Sequence, residues 1–140
     1  MNTLNIIRLD LHAPLFYSKD ERFEPFEYPS PLVTDEILFC FEIAADQYQR
    51  IEPEYDRYLG SLLFRGAATV QPSEKGFELP AGTYLFAQVQ DILSQEDIIW
   101  TAAEIQKNGL SDRLTLENRL YFRRFFEHGQ SVTQIFRPYA

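Results

Sequence analysis

Residues 119–138 constrain the fold of this chain more than any other stretch. The segments RLYFRRFF and SVTQIFRP flank Glu127, His128, Gly129 and Gln130, and His128-Gly129 suits a two-residue hairpin turn. That turn sets a register with Phe125 opposite Val132 and Tyr121 opposite Phe136. Side chains alternate between the faces of a strand. One face therefore carries Tyr121, Phe125, Val132 and Phe136, and the other carries Leu120, Phe122, Phe126 and Ile135. A sheet with one solvated face alternates cleanly between apolar and polar. This hairpin does not, so both its faces need a cover. A ligand cleft, the aromatic N-terminal loop or a partner subunit could supply the second one. Arg123 and Arg124 fall on opposite faces, where each calls for an acid, an edge position or a bound anion.

The remaining elements follow from local pattern. Residues 4–11 alternate loosely and predict a strand. Residues 12–34 hold Pro14, Pro25, Pro29 and Pro31 among Phe16, Tyr17, Phe23, Phe26 and Tyr28, which predicts an irregular loop folded back onto the body. Residues 36–43 predict a strand, with Ile37, Phe39, Phe41 and Ile43 on one face. Residues 53–63 predict a helix: Pro53 suits a first turn, and Tyr55, Tyr58, Leu59 and Leu62 fall on one helical stripe. Strands are expected over 64–71, 77–79 and 83–90, with turns at 72–76 and 80–82. The second helix, over 95–108, has Ser94 as N-cap, acids in its first turn and Gly109 as a left-handed stop.

The element order from residue 36 is thus strand, helix, strand, strand, and then the same again. This predicts an α+β fold: an antiparallel sheet built from two strand-helix-strand-strand units, with two helices packed on one face. The chain has 140 residues, which suits one domain and is too short for two. Within that domain (1–140), residues 1–34 form an N-terminal strand and Pro-rich aromatic loop, 35–79 the first unit and 80–140 the second.

Composition narrows the function. The net charge of −8 argues against direct contact with nucleic acid or an anionic membrane surface, both of which need clustered cations. The single cysteine, Cys40, lies in an apolar run and reads as an inert core thiol. The opening residues lack a basic segment followed by a long apolar one, and no stretch approaches the ~20 apolar residues of a membrane span. Cytoplasm is the expected compartment. His12 and His128 stand apart, and no phosphate loop, dinucleotide fingerprint or nucleophile elbow occurs. No metal, cofactor or catalytic residue is assigned, and a binding protein is expected rather than an enzyme.

The segment FELPAGTYLFAQ at 77–88 resembles the strand motif of GyrI-like small-molecule-binding domains, the effector-binding domains of multidrug-responsive regulators. After it come a helix with an internal tryptophan, Asn108-Gly109-Leu110, and the acid Glu117 ahead of a tyrosine-containing strand, an order similar to the second half of that family. The resemblance extends over about 35–138 by element order. It implies two strand-helix-strand-strand units and an open sheet face forming an aromatic cleft with a buried carboxylate. Such a cleft favours cationic or aromatic ligands through charge pairing and cation–π contact. The residues it implicates are Tyr84, Trp100, Glu117 and Tyr121, with Glu42 as a second acid. A stand-alone small-molecule-binding protein is the leading expectation. The competing ones are an interaction protein that uses its second apolar sheet face for a homodimer or partner, and a small hydrolase with Glu117 or Glu42 as base.

Overall fold

A computed structural model describes residues 4–26, 36–72, 74, 76–90 and 94–140. Among these, eight strands form one antiparallel sheet: β1 (Ile6–Leu11), β2 (Leu15–Lys19), β3 (Ile37–Ile43), β4 (Leu59–Thr69), β5 (Gly76–Leu79), β6 (Gly82–Val89), β7 (Arg119–Glu127) and β8 (Gln130–Tyr139). Their spatial order is β1-β6-β8-β7-β3-β4-β2-β5. A single α-helix, α1 (Gln95–Ser111), follows β6.

The two-unit, two-helix architecture is therefore corrected. Residues 53–63 do not form an α-helix. A short 3-10 turn over Tyr55–Arg57 leads into β4, which is 11 residues long. The helical spacing of Tyr58, Leu59 and Leu62 is overridden by pairing with β3, where Ile43 meets Leu59 and Phe41 meets Leu62 across a bulged register. Gly60 belongs to that pairing. A Cβ there would sit 2.9 Å from the Glu42 carbonyl oxygen, so the glycine serves a close strand approach instead of weakening a helix. A further strand, β2, arises inside the Pro-rich stretch, with Tyr17 fully buried. Phe23 and Phe26 do fold back: Phe26 stacks on Phe41 and Phe122. Tyr28, Pro29 and Pro31 lie outside the described residues.

The C-terminal hairpin has the expected register, Phe125 opposite Val132 and Tyr121 opposite Phe136. Its turn places His128 and Gly129 at φ 52° and 77°, the two positive values that a tight hairpin needs. Helix α1 starts as expected, with the Ser94 hydroxyl accepting from the Asp97 amide at 3.2 Å. It does not stop at Gly109. It runs to Ser111, and Arg113 takes the left-handed position at φ 61°. Gly109 is instead a packing glycine, where a Cβ would meet Leu85 and Leu116 at 2.9 Å.

Two apolar cores answer the two apolar faces. Helix α1 covers one face, burying Ile98, Ala102 and Ile105 against Phe39, Phe122 and Ile135. The opposite face holds Tyr17, Leu38, Cys40, Phe64, Leu79, Tyr84, Tyr121 and Phe136. No helix covers this second face; the sheet covers it by curling. Strands β5 and β7 are four places apart in the order, a distance of roughly 19 Å in a flat sheet at about 4.8 Å per strand. Yet the rings of Phe77 on β5 and Tyr121 on β7 lie 5.9 Å apart. Only Pro80 and Ala81 join β5, at one edge, to β6, next to the other edge. The sheet is a half-barrel with an aromatic interior. The open concave face expected from the sequence is filled by the protein's own side chains.

Candidate functional site

At the end of the half-barrel where β5 passes into β6, the filling stops short of the rim. A cleft of about 410 Å³ opens there, walled by Pro80, Ala81, Gly82, Thr83, Tyr84, Glu117, Arg119, Tyr121, Pro138 and Tyr139. Three of the five residues singled out from the sequence meet in it: Tyr84, Glu117 and Tyr121. Tyr84 and Tyr121 form the floor, each almost fully buried, with their rings edge to face at 6.2 Å. The Tyr84 hydroxyl donates to the Pro80 carbonyl at 2.5 Å, fixing the ring beneath the β5–β6 turn. Burial, then the neighbouring Tyr121 and Glu117, pushes the Tyr84 phenol up. Burial and Cys40 raise Tyr121 to about 12, with Arg119 working in the opposite direction. Both phenols are protonated near neutral pH and remain hydrogen-bond donors.

Glu117 occupies the rim and is exposed, so the buried carboxylate implied by the family resemblance is not what the fold builds. Its main chain is nevertheless held firmly. The Glu117 amide donates to the Pro138 carbonyl at 3.0 Å, and the Glu117 carbonyl accepts from Arg137 Nε at 2.6 Å. Arg137 is completely buried beneath the helix side of the sheet. Its other nitrogens donate to the Tyr58 hydroxyl at 3.2 Å, Gln106 Oε1 at 2.9 Å and the Tyr48 carbonyl at 2.8 Å.

The other two residues lie elsewhere. Glu42 is exposed on β3, opposite Arg119 and two pairs beyond Cys40 and Tyr121. It neighbours the cleft without walling it. Trp100 is 37% exposed on the far side of α1, in a separate open groove with Tyr55, Asp56, Glu96 and Asp97. It does not pack between helix and sheet, and it does not share a site with the tyrosines.

Arg119 belongs to the cleft as well, though no motif in the sequence marks it. It lies two residues before Tyr121 on β7, hence on the same sheet face, and its guanidinium stands beside the Tyr121 hydroxyl and the Cys40 thiol. Alternation along the hairpin strand was the signal that could have found it. Cys40 itself is fully buried, and burial pushes its thiol up to about 12, which leaves it protonated and unreactive. Arg123 does find an acid: it reaches Glu36 at 3.5 Å and Gln134 at 2.6 Å at the far end of the interior. Among the described residues, no three His, Cys, Asp or Glu side chains come together to hold a metal ion. No helix among them is long and apolar enough to cross a membrane.

No family model matches this chain, and no curated protein matches it.

Proposed function

We propose that this chain is a small-molecule-binding protein, and that the cleft above Tyr84 and Tyr121 takes a compact ligand of cationic or aromatic character. The observation that carries this is the convergence of Tyr84, Glu117 and Tyr121 on one cleft of about 410 Å³, within the size range of small-molecule sites. The GyrI-like resemblance supports the same place. Its motif at 77–88 covers most of β5, the Pro80-Ala81 turn and most of β6, and Pro80, Ala81, Gly82, Thr83 and Tyr84 from it wall the cleft.

In this proposal Glu117 meets a cationic group, the tyrosine rings take an apolar or aromatic body, and the Tyr121 phenol supplies a directional hydrogen bond, the Tyr84 proton being held by the Pro80 carbonyl. Assembly through the second sheet face is less well supported. That face is folded inward on its own aromatic core, and the large exposed apolar side chains, such as Ile7, Ile51, Leu63 and Val70, lie on different strands and loops. The single buried cysteine agrees with a reducing compartment, and we take the cytoplasm as its setting.

A thermal-shift screen against organic cations, aromatic amines and common metabolites tests the proposal, because a ligand that binds only the native state must raise the melting temperature. The expected result is a concentration-dependent rise that is lost in Glu117→Gln. The absence of any shift across the panel, together with a stable homodimer in solution, would move the function to assembly.

A further inference from the structure

Two opposite charges stand side by side on the cleft wall. Glu117 and Arg119 are two residues apart, on either side of a bend at Asn118, and both are exposed. They do not bond to each other. Among the described residues, neither forms an ion pair with any other side chain, although Glu42 is the cross-strand partner of Arg119. Elsewhere on the surface, acids and bases of this chain pair readily over short sequence distances: Arg8 with Asp10, Arg22 with Asp20, Arg57 with Glu54. The Glu117–Arg119 doublet is thus a pair of charges on one cleft without an opposite charge bonded to either, Arg119 lying against the neutral Tyr121 hydroxyl and Cys40 thiol.

The main chain beneath both charges is also held in place. Glu117 is fixed by the Pro138 carbonyl and by Arg137, and Arg119 opens β7 in register with β3. Holding two charges apart before binding lowers the ordering cost of engaging both. An arginine offers a carboxylate a planar, two-pronged donor, while a carboxylate offers an ammonium group a charged acceptor. The Tyr84 and Tyr121 rings supply an apolar floor beneath them.

From this we infer that the ligand is a small zwitterion bearing a carboxylate and an ammonium group, with Arg119 as the residue that selects the anionic end. This rests on the cleft being the ligand site and sharpens it: a purely cationic ligand would satisfy Glu117 and leave Arg119 idle.

Three isosteric probes separate the possibilities: phenylalanine, phenethylamine, which lacks the carboxylate, and 3-phenylpropionate, which lacks the amine. Calorimetric titration of each into the wild type, Glu117→Gln and Arg119→Gln is the experiment. Both substitutions lie at exposed positions and leave the aromatic core intact. The expected result is phenylalanine binding at least tenfold more tightly than either half-probe. Arg119→Gln should then reduce phenylalanine to the affinity of phenethylamine, and Glu117→Gln should reduce it to that of 3-phenylpropionate. Phenethylamine binding as tightly as phenylalanine, unaffected by Arg119→Gln, would overturn the zwitterion while leaving the cation-binding cleft standing. No binding by any of the three would overturn the zwitterion, while the cleft as ligand site would stand or fall on the thermal-shift screen.

Discussion

Arg137 Nε donates to the Glu117 carbonyl at 2.6 Å, which ties a fully buried cation on the helix side of the sheet to the wall of a cleft on its other side. Burial pushes this guanidinium below its ordinary value, and all four of its acceptors are neutral: two carbonyls, a phenol and an amide. Arg137→Met keeps much of the volume but strands those acceptors. At about 1–3 kcal/mol for each buried polar group left unpaired, offset by the relief of a buried charge, a net loss of about 3 kcal/mol is expected in urea denaturation. Ligand affinity at the cleft should fall as well, because the main chain of Glu117 loses its anchor.

Gly66 and Gly109 make a contrasting pair. A Cβ at Gly66 would lie 2.2 Å from the Ser18 carbonyl oxygen, in the paired backbone of β2 and β4, which cannot yield without breaking the ladder. Gly66→Ala should cost about 2 kcal/mol or more. A Cβ at Gly109 meets only the methyl ends of Leu85 and Leu116, and alanine gains about 1 kcal/mol of helix propensity. Gly109→Ala should therefore stay within about 1 kcal/mol of wild type. Thermal or chemical denaturation of the two variants side by side checks both.

Much of this molecule can be read directly from its amino-acid order. The hairpin turn at His128-Gly129, the strand faces of 36–43 and the Ser94 cap are short-range features, and each formed as its local chemistry dictates. The failure at 53–63 has a specific cause. Tyr58 and Leu62 obey helical spacing, but their energy comes from partners far along the chain: Tyr58 from Gln106 and Arg137, Leu62 from Phe41. Curvature was equally hidden. Both apolar faces of the hairpin were visible, yet the contact between Phe77 and Tyr121 depends on how strands pair across the whole sheet. For the site, Tyr84, Glu117 and Tyr121 share a cleft because β6, β7 and the 115–117 segment, bridged to the end of β8, meet there. Trp100 was misplaced because a stripe that includes Ile98 and Ile105 leaves residue 100 on the opposite side of the helix.

Stability should fall at alkaline pH. Tyr17, Tyr58, Tyr84, Tyr121 and Cys40 are all raised, chiefly by burial. A raised group contributes stability that is complete below its unfolded-state value, 10.0 for the phenols and 9.0 for the thiol, and is lost as pH climbs through the folded value, about 12 for Tyr58, Tyr121 and Cys40. Arg124, lowered to about 10, and Arg137 act with the opposite sign, but they are two groups against five. The unfolding free energy should begin to fall above about pH 9 and drop steeply toward 12. A flat profile through pH 11 would contradict the burial of these tyrosines.

Trp100 is the chain's one tryptophan, so its fluorescence reports on the outer groove alone. Its emission should be quenched readily by acrylamide, and Trp100→Ala should leave affinity at the Tyr84–Tyr121 cleft within about twofold. A tenfold loss, measured by calorimetry on that variant, would return Trp100 to the binding site.

The central claim is that a small ligand occupies the cleft above Tyr84 and Tyr121. It is tested most directly by titrating the strongest stabiliser from the thermal screen into isotope-labelled protein and following backbone amide and indole resonances. The amides of Thr83, Glu117, Arg119 and Tyr139 should move together along one saturable curve while the Trp100 indole stays still. Shifts centred on Trp100 and Tyr55, with the cleft amides unmoved, would contradict it.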